Sequence, residues 1–254
     1  MMRRHLFFFS IVAAFSSAVP AQIPSNADTA AAFGAREAIF GAALSPDGTK
    51  IAFLGPAPGS AVTLYSMDTL KETRPHVVLK SSGDPEHLLG CVWVANDRLT
   101  CQVGGYQQGQ GDHDKEIVGF TSVIAINDDG SNIKVLSKRQ GLDALYRDNR
   151  GGGVIDLLPD ADGAVLMTRS YVPEVTRSLM QSTDEGIGVD RIDTRTVSVK
   201  RVEPPRRDAV EYISDGLGNV RIMGIAKKTA EGYDNGQISY LYRQVDSRTW
   251  EPLG

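Results

Sequence analysis

The feature that most constrains this 254-residue chain is a strand–turn–strand unit that recurs four times at long, uneven spacing. The inner turns begin near residues 45, 95, 160 and 215, so successive units stand 50, 65 and 55 residues apart. The clearest is Leu44-Ser45-Pro46-Asp47-Gly48-Thr49-Lys50-Ile51-Ala52-Phe53, where Pro fits the fixed φ of a turn and Gly supplies a positive φ. Val62 to Asp68 and His76 to Leu79 add two further strands, giving a four-strand meander that ends near Lys80. A second unit runs through Val92-Trp93-Val94, the turn Asn96-Asp97-Arg98 and Leu99 to Val103. A polar loop over roughly Gly104 to Glu116 follows, then Ser122 to Asn127 and Ile133 to Leu136. The third unit comprises Val154 to Leu158, a turn at Asp160-Ala161-Asp162-Gly163, Ala164 to Thr168, Gly188 to Ile192 and Val197 to Val202. Pro204-Pro205-Arg206-Arg207 reads as a linker to the fourth, made of Val210 to Ser214, a turn at 215–218, Asn219 to Ile225, Ile238 to Arg243 and a last piece near Trp250.

A four-strand unit repeated at this period predicts an all-β partial β-propeller of about four four-stranded antiparallel blades. The blades fall near 41–80, 88–137, 152–203 and 208–254 within a domain spanning 41–254. A β-sandwich or a set of unrelated hairpins is the alternative. The content of 26 Gly and 12 Pro, with frequent Val, Ile, Thr and Tyr, suits either all-β reading.

The first residues set the compartment. Arg3 and Arg4 precede an apolar stretch from Leu6 to Ala18, and Ala18-Val19-Pro20-Ala21 places small residues for cleavage after Ala21. That order of charge, apolar core and small-residue site describes a signal peptide over 1–21 and a periplasmic or secreted destination. The stretch is too short to cross about 30 Å of hydrocarbon, which argues against a membrane anchor once the signal is removed. A lead segment, 22–40, holds one short helix around Thr29 to Ile39 that would shield an open end of the sheet stack. Cleavage removes the two arginines and moves the formal net charge from −4 to −6. With no basic block, the chain carries no electrostatic footprint for nucleic acid.

Cys91 and Cys101 are the two cysteines. They flank a hairpin centred on Asn96, and an oxidising compartment favours a bridge between them. Two buried thiols are the other reading. A single Cys pair without spaced His makes a poor zinc site.

Phe33-Gly34-Ala35-Arg36-Glu37, the Ser45-Pro46-Asp47-Gly48 turn with Lys50-Ile51-Ala52-Phe53, and Leu89 to Val94 with Asp97-Arg98-Leu99 together resemble the start of bacterial exported peptidases of the prolyl oligopeptidase family. The resemblance implies a propeller that restricts access to a serine nucleophile carried by an α/β-hydrolase domain. TolB-like propellers share the Ser-Pro-Asp-Gly turn. No Gly-x-Ser-x-Gly nucleophile elbow occurs in the sequence. The acidic Asp-Trp-x-Tyr-Glu-Glu helix of dipeptidyl peptidase IV relatives has no match either. The sequence therefore offers no catalytic, cofactor-binding or metal-ligating residue. The expected role is substrate gating for a hydrolase domain absent from this chain. The alternative is a stand-alone periplasmic scaffold that binds a peptide or protein. Four blades leave either a tight four-bladed ring or an open arc; the arc would expose faces on the first and last sheets, and marginal solubility or self-association would follow.

Three local clusters receive structural readings. Gly111-Asp112-His113-Asp114-Lys115-Glu116 combines His with carboxylates that could coordinate a cation, but reads as a solvated inter-strand loop, and Asp184-Glu185-Gly186 reads as loop and turn chemistry. Gly151-Gly152-Gly153 lacks the Lys-Ser/Thr of a phosphate loop.

Overall fold

The computed structural model describes residues 25–108, 116–137, 150–158, 163–173, 183–230 and 232–253. The proposed signal peptide, the centre of the Gly111–Glu116 loop and most of the 160–163 turn lie outside them. One helix, α1 (Asn26–Phe33), belongs to a unit that ends at Arg36, separate from residues 37–254. It starts earlier than the sequence suggests and stops at Gly34, whose amide closes the last turn on the Ala30 carbonyl at 2.9 Å.

Among the described residues sixteen strands follow, grouped in chain order into four antiparallel sheets. The first sheet holds β1 (Phe40–Leu44), β2 (Lys50–Pro56), β3 (Val62–Asp68) and β4 (His76–Ser81). The second holds β5 (Glu86–Ala95), β6 (Arg98–Gln108), β7 (Ile117–Asn127) and β8 (Lys134–Val135). The third holds β9 (Val154–Asp156), β10 (Ala164–Tyr171), β11 (Gly186–Asp193) and β12 (Val199–Arg206). The fourth holds β13 (Ala209–Ser214), β14 (Val220–Lys228), β15 (Asp234–Tyr242) and β16 (Glu251–Pro252). Each sheet is a meander whose strands pair in sequence order, and the sheets stack face to face as blades of a partial propeller.

Two expectations need correction. The segment Gly104–Gln108 is strand rather than loop: β6 and β7 stay in register out to Gln108 opposite Ile117. Glycines at 104 and 105 disguise this in sequence, yet they are required, because a Cβ on Gly105 would lie 2.3 Å from the Pro85 carbonyl oxygen. Pro204 and Pro205 are likewise not linker but the end of β12. That strand is the sheet's edge, where a missing N–H is tolerated, and the register shifts between Ile187 and Val189 absorb the prolines.

Three apolar clusters fill the spaces between successive sheets. The first packs Ala52, Leu54, Val62, Leu64 and Val78 against Leu88, Trp93, Leu99, Val103 and Ile126. The second joins Val94, Val123, Ala125 and Leu136 to Val165, Met167 and Ile192. The third sets Leu158, Leu166 and Val189 against Ala209, Tyr212, Val220 and Met223. A sheet covered on both faces reads as a continuous apolar run, and Ala164-Val165-Leu166-Met167 in β10 is buried at every position. In a sheet covered on one face the burial alternates instead, as it does from Ile51 to Leu54.

The polar turns tie neighbouring sheets along one rim. Asp47 accepts from Ser45 Oγ at 2.6 Å and from the Thr49 amide at 3.0 Å, which closes the Ser-Pro-Asp-Gly turn around Gly48 at φ +72°. The Asp47 amide then donates to Asn96 Oδ1 of the second sheet at 3.0 Å. Arg98 is fully buried and reaches the third sheet, donating Nε–H to Thr194 Oγ1 at 3.2 Å and Nη2–H to the Thr194 carbonyl. Its Nη1 donates to Asn127 Oδ1 at 2.6 Å and the Asn132 carbonyl at 3.0 Å, so its donors are well satisfied despite complete burial. Between the third and fourth sheets, Asp156 accepts from the Gly218 amide at 2.9 Å and Glu203 pairs with Arg243 at 2.5 Å.

Candidate functional site

Small residues on innermost strands create the first candidate site. Gly41 to Ala43 of β1, Leu89 to Val92 of β5, and Gly153 with Val154 at the head of β9 come from three successive sheets. With Thr100 to Gln102 and Val123 they line a hollow of about 400 Å³. A Cβ on Gly90 would meet nothing within 4 Å. Leu89 lies where β5 shifts register between Leu88 and Gly90, a bulge that turns its side chain out.

Cys91 and Cys101 border this hollow. They are directly paired across β5 and β6, and the disulfide forms with Cα atoms 4.1 Å apart. Such a spacing is that of a closely approaching cross-strand pair. Both sulfurs belong to the first apolar cluster, beside Trp93, whose indole N–H donates to the Ala43 carbonyl at 3.1 Å. The bridge thus braces the strands that form the hollow's floor.

A larger cleft of about 770 Å³ opens between the first two sheets. Leu79, Leu88, Val103, Ile124 and Val135 give it apolar walls, and hydroxyls of Ser81, Ser82, Thr121, Ser122 and Ser137 stand around them. Lys80 and Glu86 bring opposite charges to the lining. Ser137 is held rather than free, since it accepts from the Val123 amide and donates to the Gly151 carbonyl, both at 2.7 Å.

A polar nest occupies the face of the third sheet toward the second. Asp190 is completely buried and accepts from Tyr171 Oη at 2.6 Å and Arg169 Nη1 at 3.2 Å. The Tyr171 ring has the Arg201 guanidinium 4.8 Å from its centroid and that of Arg169 at 5.8 Å. Burial, then the hydrogen bond to Asp190, pushes the Tyr171 hydroxyl up to about 12. A tyrosine kept neutral this firmly is a hydrogen-bond donor and not a base.

The residues singled out in sequence sort as follows. Cys91 and Cys101 are brought together as a disulfide. Asp184 and Glu185 pair with Arg201 and Arg207 at 2.8 and 2.6 Å, which makes them edge ion pairs. Gly151 permits close approach to the second sheet, since a Cβ there would lie 2.3 Å from the Thr121 carbonyl oxygen, and Gly152 permits close approach to β10, where a Cβ would lie 1.9 Å from the Thr168 carbonyl oxygen. Among the described residues, no three His, Cys, Asp or Glu side chains cluster as a metal site. The hollow and the cleft were not foreseen from sequence. The run of small residues at 41–43 is the one signal that could have pointed to the former.

Known structures with similar folds include the β-propeller domain of the Trilobed protease from Pyrococcus furiosus, at 11% identity and a TM-score of 0.45. TolB from Acinetobacter baumannii is similar at 15% identity and a TM-score of 0.42. A puromycin-hydrolysing peptidase of Mycobacterium tuberculosis is similar at 14% identity and a TM-score of 0.44. These likenesses cover 86, 85 and 86% of this chain, which spans 57, 43 and 29% of the respective structures. No protein-family model and no curated protein sequence matches the chain.

Proposed function

We propose that this chain is the non-catalytic propeller region of an exported serine peptidase, restricting access and orienting peptides for a hydrolase domain carried elsewhere. The observation that supports it most is the hollow between β1, β5 and β9. Innermost blade strands with Gly41, Ala42, Gly90 and Gly153 leave open space where a propeller admits its ligand. The disulfide alongside fits export to an oxidising compartment.

A second reading, a stand-alone peptide-binding propeller, draws on the larger cleft. Its apolar walls and hydroxyl rim suit an extended peptide without any need for a hydrolase partner.

Two substitutions separate the readings. A fluorescein-labelled decapeptide pool is titrated into the mature chain and followed by anisotropy. Gly90→Trp, which fills the hollow from a position with open space, should weaken binding at least tenfold, while Ser122→Trp in the cleft leaves it unchanged. The reverse pattern supports the scaffold reading, and absence of any peptide binding refutes both. A fluorophosphonate probe should label no serine, because the sequence offers no nucleophile elbow.

A further inference from the structure

Among the described residues, the two end sheets each keep one largely apolar face without a covering sheet. On the first sheet, Ala52, Leu54 and Leu64 point into the cluster shared with the second sheet, so their neighbours point away. The registers Leu44–Ile51–Met67 and Phe53–Tyr65–Val77 lay those neighbours out as two rows. Phe53 and Tyr65 stack with centroids 5.3 Å apart, and Leu44 and Val77 stay 63% and 46% exposed. On the fourth sheet the outward rows are Ile213–Ile222–Tyr242 and Gly224–Tyr240, with Ile238 opposite Ala226. Ile213, Ile238 and Tyr240 remain 40%, 48% and 39% exposed. Among the described residues, no apolar cluster joins the first sheet to the fourth.

We infer that a second copy of this chain covers both end faces at once, fourth sheet on first and first on fourth, closing an eight-bladed ring with twofold symmetry. Three features favour this occupant. The missing junctions repeat the kind of contact already made three times within the chain, one sheet face laid on the next. Four blades from each of two copies give eight, within the range of closed propellers. Area also suffices. Four strands about 4.8 Å apart and about six residues long cover roughly 400 Å². Two such faces contribute roughly 800 Å² per copy, the size of a standard stable interface.

Like-on-like stacking is disfavoured by charge. The fourth face carries exposed Glu211 and Glu251, which accept from Tyr240 Oη at 3.1 Å and Tyr242 Oη at 2.9 Å. Fourth on fourth would bring these carboxylates together, whereas the outward rows of the first face contain none.

The test is the mass of the mature chain by size-exclusion chromatography with light scattering across a wide concentration range. A dimer is expected. Val77→Lys and Ile238→Lys should each raise its dissociation constant at least tenfold, because every junction uses one face of each kind. Leu217→Lys, at an exposed turn off both faces, should leave it unchanged. Far-UV circular dichroism checks that the variants fold, and Leu44→Lys with Tyr240→Lys interrogates the same two faces independently. A monomer at all concentrations, a ladder of open-ended assemblies, or a dimer that responds to one face or neither overturns the inference.

Discussion

The first two sheets and the last two are the same architecture held together by different chemistry. Between the first and second sheets the buried set is almost wholly apolar, with the disulfide inside it and Trp93 as its largest member. Between the third and fourth, the buried carboxylates of Asp156 and Glu203 work alongside the apolar residues, each held by named donors. Apolar packing is indifferent to pH and tolerant of small shifts, whereas buried polar groups require their partners and are costly when one is lost. The first half should therefore respond to redox and cavity changes, and the second to pH. The two tryptophans make the contrast measurable. Trp93 lies in the first junction, while Trp250 packs on the last and sits 4.6 Å below the Arg243 guanidinium.

The largest effect should come from the residue that joins the halves. Arg98 lies in the second sheet, and removing its guanidinium strands the buried Thr194 carbonyl and takes a donor from the part-buried Asn127 Oδ1 and Asn132 carbonyl. Arg98→Ala should cost about 3 kcal/mol or more. In the unaltered protein, denaturant transitions followed through Trp93 (in a Trp250→Phe background) and through Trp250 (in a Trp93→Phe background) should coincide. In Arg98→Ala they should separate. Coincident transitions in the variant would show that the apolar cluster between the second and third sheets couples the halves unaided.

Next in size is the disulfide. Replacing Cys91 and Cys101 together by Ser should cost about 2 kcal/mol, the low end for so short a loop. The loss should appear through Trp93 ahead of Trp250. Intact-mass measurement with and without reductant should show a two-hydrogen difference, and two alkylatable thiols in freshly isolated protein would contradict the bridge.

The same contrast governs how much the sequence reveals. The first half is legible because its signals are local: Ser45 to Gly48 specifies a turn by its own side-chain bonds, and the apolar run Ile51 to Leu54 directly after it marks the strand. The second half is obscured where context overrides such signals. Pro204 and Pro205 look like a break, yet sit in β12 because an edge strand needs no donor there. The nest around Asp190 assembles residues from three strands, and no spacing announces it. The hollow and the cleft are shaped by distances between sheets, and single-strand periodicity carries no information about those. The disulfide was legible since a hairpin places its ends opposite each other.

The alkaline limb of stability should belong to the second half. Burial first, then the charge of Glu203, pushes the Tyr212 hydroxyl up to about 12, and it donates to the Ile187 carbonyl at 3.2 Å. Tyr171 is raised similarly. A tyrosine whose folded value exceeds its unfolded value of about 10 contributes stability below pH 10 that is lost as the pH climbs toward 12. Tyr212→Phe should remove about 1–2 kcal/mol of that dependence, seen through Trp250. An unchanged slope would mean the hydroxyl ionises as freely in the folded state as in the unfolded one.

The smallest effect should come from Asp97, next to Arg98 in sequence and bonded to the same turn of the third sheet. Arg195 donates to its two carboxylate oxygens at 2.7 and 3.1 Å, and this hydrogen bonding chiefly holds Asp97 below the ordinary carboxylate range. The geometry is bidentate, but the side chains are 55% and 29% exposed, so water and salt screen the attraction. A carboxylate lowered in the folded state contributes stability present above its unfolded value of about 3.9 and lost as the pH falls through the folded one. Asp97→Asn should therefore cost less than about 1 kcal/mol at pH 7 and flatten the acid limb below about pH 4. Raising sodium chloride to about 0.5 M should shrink the difference further, since the screening length falls to a few ångströms. Adjacent residues that bond the same turn would thus differ severalfold in effect because one is buried and the other is wet. Should Asp97→Asn cost as much as Arg98→Ala, the halves would be joined by the exposed ion pair, and the contrast between buried and solvated links would fail.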